Sequence, residues 1–366
     1  MDTEVASGPA ARGSDPPAAG EESAARSGID VARGFHHDVV KPLIARALPG
    51  LRYAAARLGS GSDVLGLDDR TSRDHDWGCR LTVLVDEADA AARPRLVAAL
   101  DDLPETYAGL PVRLPTTWDP TVSHKVQVET VDGFTRSRLG VGPHLSTVDW
   151  LTVTGQAVLE VTAGPVFADT TTELAPLRAA LATYPPQVER YVLAAGWQRV
   201  AQRMPMVGRT AQRGQDLGSR LLAATLVADL TALAFVVCRQ WAPYEKWREA
   251  AFRRLPVAHR LAGPLRTALT ADDWAGREAA LAEAVTVLAA AQRELGLPAP
   301  RIGPFFDRPY RSVEVPAELT DAITDPDLAG LPLVGSLEQW VDSTDVLARP
   351  ENRPGAAAAY RAWLAR

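Results

Sequence analysis

Residues 58–77 read Leu-Gly-Ser-Gly-Ser-Asp-Val-Leu-Gly-Leu-Asp-Asp-Arg-Thr-Ser-Arg-Asp-His-Asp-Trp. Two parts of this stretch suit one chemistry. Gly61 lets the backbone approach an anion closely, and a helix starting after Ser62 would aim N–H groups and a positive dipole end at that anion. Beyond Ser62 and eleven intervening residues, Asp74 and Asp76 flank His75. On an extended strand, residues two apart leave the same face, so both carboxylates would project together while His75 points away. Such a pair can hold divalent cations roughly 3.5–4 Å apart, and Mg²⁺ prefers carboxylate oxygens and retained waters. The combination fits phosphoryl or nucleotidyl transfer, in which backbone N–H groups hold a triphosphate and carboxylate-bound metal neutralises its charge.

The elements that would position these residues are legible on both sides. Leu51 to Ser60 can form a short strand, and Leu81-Thr82-Val83-Leu84-Val85 is an apolar, β-branched strand ending at Asp86. Residues 87–100 read as a helix. His124 to Val131 alternates at period two, with Lys125, Gln127 and Glu129 on one face and Val126, Val128 and Thr130 on the other. Glu129 is the candidate third metal-binding acid and Lys125 a candidate phosphate contact; an ordinary solvated strand face is the alternative. Upstream, Ile29 to Leu48 has helical periodicity and stops at Pro49-Gly50. Residues 1–28 contain almost no large apolar side chain and are expected to remain a disordered tail.

From about Asp149 onward strand signals fade. Ala/Leu-rich stretches at 173–183, 187–203, 216–241, 244–254 and 274–295 predict a helical bundle, broken at Tyr184-Pro185-Pro186 and Ala242-Pro243. The fold class expected is α+β: a mixed sheet with flanking helices over 29–148, a helical domain over 149–297, and a C-terminal extension over 298–366 that packs on it. In the helical domain Arg209, Arg213 and Lys246 are candidate phosphate contacts, and Trp247 is a ring able to stack on a base. Surface charge for Lys246 and core packing for Trp247 are the plainer readings.

Composition narrows the classes. With 46% apolar and 23% charged residues, 366 residues can bury a sizeable core. No uninterrupted apolar run approaches the roughly 20 residues of a membrane span, and the acidic, Ser-rich start lacks a signal peptide's regions, so cytoplasmic residence is expected. The net charge of −6 argues against a broad nucleic-acid surface, although a local basic groove is compatible with it. Cys79 and Cys238 have no metal or redox spacing and read as packing residues. Only three lysines occur, Lys41, Lys125 and Lys246, among 39 basic residues.

The pattern Gly61-Ser62, Asp74-His75-Asp76 and the strand through Leu84 resembles the signature of the polymerase-β-like nucleotidyltransferase superfamily, which usually writes an apolar residue where this chain has His75. A resemblance covering more of the chain joins Gly-Ser-Gly-Ser and Ser72-Arg73-Asp74-His75-Asp76-Trp77 to Gly164-Pro165-Val166-Phe167-Ala168-Asp169 and Ala242-Pro243-Tyr244-Glu245-Lys246-Trp247. Together they look like an uncharacterised bacterial family, DUF4037. The resemblance implies a nucleotidyltransferase domain followed by a helical domain, similar in layout to aminoglycoside nucleotidyltransferases. It implies Mg²⁺ (or Mn²⁺) and a nucleoside triphosphate, ATP by expectation, with transfer of a nucleoside monophosphate to a hydroxyl acceptor.

Two other readings stand beside it. The fold can persist as an inert nucleotide-sensing or protein-binding module. His75-Asp76 is also the central dipeptide of HD-type metal phosphohydrolases, with His36-His37-Asp38 as upstream ligands; that family places its ligands on helices, whereas a strand is expected after Trp77-Gly78.

Overall fold

The computed structural model describes residues 26–73, 77–116 and 120–365. The expected tail therefore lies outside the described residues up to position 25, and so do Asp74, His75 and Asp76. Helix α1 (Gly28–Phe35) is capped by Ser27, whose hydroxyl accepts the Asp30 N–H at 3.1 Å. The long helix expected from 29 to 48 is interrupted. Pro42 lacks an N–H and crowds the carbonyl four residues back; the backbone widens into a π turn over His36–Val40, closed by the Lys41 N–H on the His36 carbonyl, before α2 (Lys41–Ala47).

The strands are β1 (Ala54–Ala56), β2 (Arg80–Val85), β3 (Thr106–Tyr107), β4 (Leu110–Pro111), β5 (Arg113–Leu114), β6 (Ser123–Thr130), β7 (Val166–Asp169), β8 (Arg301–Phe305) and β9 (Arg308–Glu314). Five form a mixed sheet in the order β5-β6-β2-β1-β7. β2 runs parallel to β6 and antiparallel to β1, and β7 pairs antiparallel with β1. The edge strand β7 lies beyond the expected boundary at 148/149, so the chain returns to the sheet after entering the helices.

Register sorts the two faces. Arg80, Thr82 and Leu84 stand beside Lys125, Gln127 and Glu129, while Leu81 and Val83 stand beside Val126 and Val128. The second set packs under α1, α2 and the helix α3 (Arg93–Ala99) in a core with Phe35, Ile44 and Leu96. On the other face Ala54, Ala56 and Leu84 meet α4 (Val131–Leu139), α5 (Thr147–Thr152) and α6 (Gly155–Thr162) through Phe134, Leu151 and Val158. Apolar cover reaches Leu84 but not the Arg80 end of that face, which stays open for polar groups.

After α7 (Leu174–Ala180), the helices α8 (Pro186–Ala211), α9 (Asp216–Val237), α10 (Glu245–Phe252), α11 (Ala258–Thr270) and α12 (Trp274–Glu294) build a second core around Trp197, Leu226, Leu230, Leu261 and Leu288. Gly196 lets α8 and α9 approach, since a Cβ there would lie 2.6 Å from Leu233. Helix α9 is long and apolar enough to cross a bilayer by length and composition, contrary to the reading of the sequence, and it buries Leu226, Leu230 and Leu233 in this core. The C-terminal extension divides between the cores: Val313 of the β8–β9 hairpin joins the helical one, while Tyr360 of α13 (Pro354–Leu364) joins the one beneath the sheet.

Candidate functional site

The Gly-Ser loop is held from inside by a charge. Arg57 follows β1 at 2% exposure; its Nε and one terminal nitrogen reach Asp63 at 2.7 and 2.9 Å, and it donates to the carbonyls of Leu58 at 2.7 Å and Ser60 at 2.9 Å. The guanidinium thus gathers the loop's oxygens inward. Gly59 and Gly61 have φ of +85° and +138°, and a Cβ on Gly61 would lie 2.2 Å from the Asp63 carboxylate. The Gly59 N–H bonds the Glu160 carbonyl at 2.7 Å, whereas the N–H groups of Ser60, Gly61 and Ser62 have no acceptor among the described residues. Successive free N–H groups with the carbonyls turned away form an anion-binding concavity.

The expected helix after Ser62 is a single 3₁₀ turn, Asp63–Leu65, because Gly66 takes the left-handed conformation at φ +63° and ends it. Any anion grip therefore rests on the loop amides and not on a helix dipole.

Beside the loop, at the open end of the sheet, is a cavity of about 280 Å³ lined by Leu58, Arg80, Thr82, His124, Lys125, Gln127 and Arg138 among others. Arg138 reaches it from α4, donating to Gln127 at 3.0 Å and pairing with Glu160 at 3.4 Å. A Cβ on Gly59 would lie 3.2 Å from its guanidinium. Lys125 donates to the Ser123 hydroxyl at 3.0 Å. Burial, then the Arg113 charge, lowers the pKa of His124 against an opposing pull from Asp101; Lys125 lowers it further. Arg57, Arg80, Arg138 and Glu160 are absent from the sequence reading, which places Gln127 on the polar strand face without giving it a role. Arg57 alone left a trace: a charge inside the buried run Ala54–Leu58 needs a partner close by.

Asp74 and Asp76 lie outside the described residues. Their flanks are fixed: the Arg73 guanidinium lies 4.9 Å from the Trp77 ring, and the Trp77 indole N–H donates to Asp68, which also accepts the Gly28 N–H at 2.6 Å. Asp69 accepts the Thr71 and Ser72 N–H groups and the Ser72 hydroxyl. The Ser72 hydroxyl is the main cause of its lowered pKa; burial opposes, and the Ser72 and Thr71 amides and the Lys246 charge add smaller pulls. Much of the charge in this loop is thus structural.

Glu129 does not join the cavity. It stands opposite Leu84, four residues along β6 from Lys125 and so roughly 13 Å from that end. Its carboxylate pairs with Arg93 at 2.7 Å and accepts its neighbour's N–H. Its pairing with Arg93 at the far end of the strand lends no support to its reading as a third metal ligand; among the described residues, which do not include Asp74 and Asp76, no group of three His, Cys, Asp or Glu side chains gathers to hold a metal. Arg209 and Arg213 are corrected: they lie at and just beyond the C-terminal end of α8, and α9 covers roughly 33 Å before the chain returns toward α10. His36 is buried, shares a hydrogen bond with the Tyr53 hydroxyl at 3.2 Å and stacks on Phe167, which accounts for it as a packing residue rather than a metal ligand.

The helical half does reach the loop. Arg254 donates to the carbonyls of Leu65 and Gly66 at 3.0 and 3.1 Å. The Tyr244 N–H donates to Gln156, which also donates to Glu160. Gly155 leaves room for this docking, since a Cβ there would lie 2.4 Å from the Ala242 carbonyl. Lys246, at the start of α10, lies over the Trp247 ring at 4.8 Å and acts on Asp69. Gly164 permits the other approach: a Cβ there would lie 1.7 Å from the Arg57 carbonyl. Gly164 thereby packs on Arg57, just ahead of the Gly-Ser loop, and the segment 242–247 meets Gly155 and Gln156 and acts on Asp69.

An α+β protein with a mixed five-stranded sheet, a glycine-rich loop at the sheet's open end and a helical half closing on that loop is the class this geometry defines. Within it, residues 150–248 match the family described as "Domain of unknown function (DUF4037)". No curated protein matches the chain. Among solved structures, a nucleotidyltransferase-like protein from Exiguobacterium sibiricum 255-15 is similar at a TM-score of 0.32 and 12% identity, over 80% of this chain and 87% of that one.

Proposed function

We propose that the protein is a nucleotidyltransferase that takes a nucleoside triphosphate, ATP by preference, and transfers its nucleoside monophosphate to a hydroxyl acceptor. The observation that carries this reading is the loop Ser60–Ser62, whose N–H groups lack acceptors among the described residues while Arg57 engages the carbonyls of Leu58 and Ser60. Such a loop fits phosphate oxygens, and the cavity beside it offers Lys125 and Arg138 to the same chain of phosphates. Asp74 and Asp76 would hold Mg²⁺ or Mn²⁺, which when bound would supply positive charge to the transferred phosphate and the departing pyrophosphate. The carboxylate pair suits a hard cation by donor chemistry.

In this reading the loop amides fix the β- and γ-phosphates, Arg138 is held in place by Gln127 and Glu160, and Lys246 closes the entrance from the helical half. The acceptor oxygen bonds to the α-phosphorus as the bond to pyrophosphate breaks, and the acceptor's proton leaves to a base. The test is label transfer: full-length protein with α-labelled triphosphates, divalent metal and a small-molecule extract. Label on a new product, lost in Asp74→Ala/Asp76→Ala, supports the reading. No transfer, with triphosphate still bound, favours the sensing module.

A further inference from the structure

Arg209 and Arg213, which the proposed site does not use, sit at the opposite end of the helical half beside the β8–β9 hairpin. The Arg209 guanidinium lies 5.5 Å from the Phe305 ring. Phe305 contacts Phe306 with ring centroids 4.9 Å apart, and Arg308 is Phe305's partner across the ladder, as Arg311 is Pro304's. Tyr310 ties the hairpin to α8 by donating to Gln212 at 2.5 Å. Phe306 forms the tip at 81% exposure with φ +52°, a conformation that bulky residues rarely adopt. Strain and full exposure of a large ring call for a partner outside the chain.

Basic groups outnumber acids around that ring. The guanidinium groups of Arg209, Arg213, Arg308 and Arg311 form no ion pair among the described residues, while the buried Glu278 accepts the Arg311 N–H at 3.0 Å. Arg301 is paired with Glu314, Asp216 with Arg220 and Arg277, and Asp273 accepts the Gly276 N–H. Asp307 is the acid at the tip itself. The exposed Phe306 ring and the half-buried Phe305 ring can stack on bases, and arginines without ion-pair partners beside them can meet a phosphate backbone, in a molecule whose net charge of −6 otherwise repels it.

We infer that this end of the molecule is a single-stranded nucleic-acid platform, with Phe305 and Phe306 as stacking rings and Arg209, Arg308 and Arg311 as backbone contacts. It stands apart from the triphosphate site and does not require activity there.

The test uses the full chain and dye-labelled oligouridylate and oligodeoxythymidylate of about 12 nucleotides, within the length one such platform covers, followed by fluorescence anisotropy at several salt concentrations. Expected is salt-dependent binding of one or both strands. Arg308→Glu/Arg311→Glu should weaken it more than tenfold and reduce the salt slope by about 2. Phe306→Asn, which keeps the left-handed backbone available, should weaken it about tenfold by loss of stacking without changing the slope. Unchanged thermal unfolding of both variants shows that they fold. Absence of oligonucleotide binding at low salt overturns the inference, as does equal affinity in the variants. So does equally tight binding of polyglutamate that ignores Phe306, or a change of oligomeric state in Phe306→Asn, which would mark the tip as a contact between copies.

Discussion

Arg57 and Asp63 carry the loop. Both are nearly buried, and each is the other's charge partner. Asp63→Asn leaves a buried guanidinium without its counter-charge, at an expected cost of about 3–5 kcal/mol, read by urea unfolding; a loss under about 1 kcal/mol would show that carbonyls alone satisfy Arg57. His36 offers a second check. Burial, then the charges of Lys41 and His37, lower its pKa to about 4. The unfolded chain therefore binds a proton that the folded chain refuses between about pH 6.5 and 4, and stability falls as pH drops through that window, by at most about 1.4 kcal/mol per pH unit. His36→Gln should flatten this part of the stability profile; an unchanged slope would assign it to other groups.

At the scale of elements, glycines decide which segments can meet. Gly164→Ala should cost about 3 kcal/mol or more, because the methyl would enter the Arg57 carbonyl and push β7 from β1. Gly263→Ala in α11 meets nothing within 4 Å and should be neutral or stabilising by up to about 1 kcal/mol. Similar losses in both, measured by thermal unfolding, would contradict the packing described.

How far these elements could be read from sequence follows from how local their causes are. Strand β2, the alternation of β6 and most long helices follow from period and composition, which act over a few residues. The π turn follows from Pro42, also local, yet the periodicity around it looks continuous. The helix after Ser62 was overstated because Gly66, three residues beyond Asp63, ends it. β7 has four residues and pairs across more than a hundred positions, so nothing nearby announces it. Arg138 reaches the cavity, and Glu160 reaches Arg138, only through packing of α4 and α6. Glu129 has the expected facing, but facing does not fix its height along the strand.

On the whole molecule, the helical half matters to the site through its grip on residues 65–69. Arg254→Ala removes two hydrogen bonds, each worth about 1 kcal/mol. Amide exchange over 62–69 should quicken about tenfold or more, while α12 keeps its protection. Equal exchange in variant and parent would mean that the halves meet without restraining the loop.

The central claim is that the Ser60–Ser62 amides and the Asp74/Asp76 carboxylates together bind a metal-triphosphate. Calorimetric titration of a non-hydrolysable ATP analogue, with and without Mg²⁺, addresses it most directly. Expected is binding at least about tenfold tighter with Mg²⁺, a difference of about 1.4 kcal/mol, that Asp74→Asn/Asp76→Asn abolishes. No binding, or the same Mg²⁺ dependence in the double variant, would contradict it.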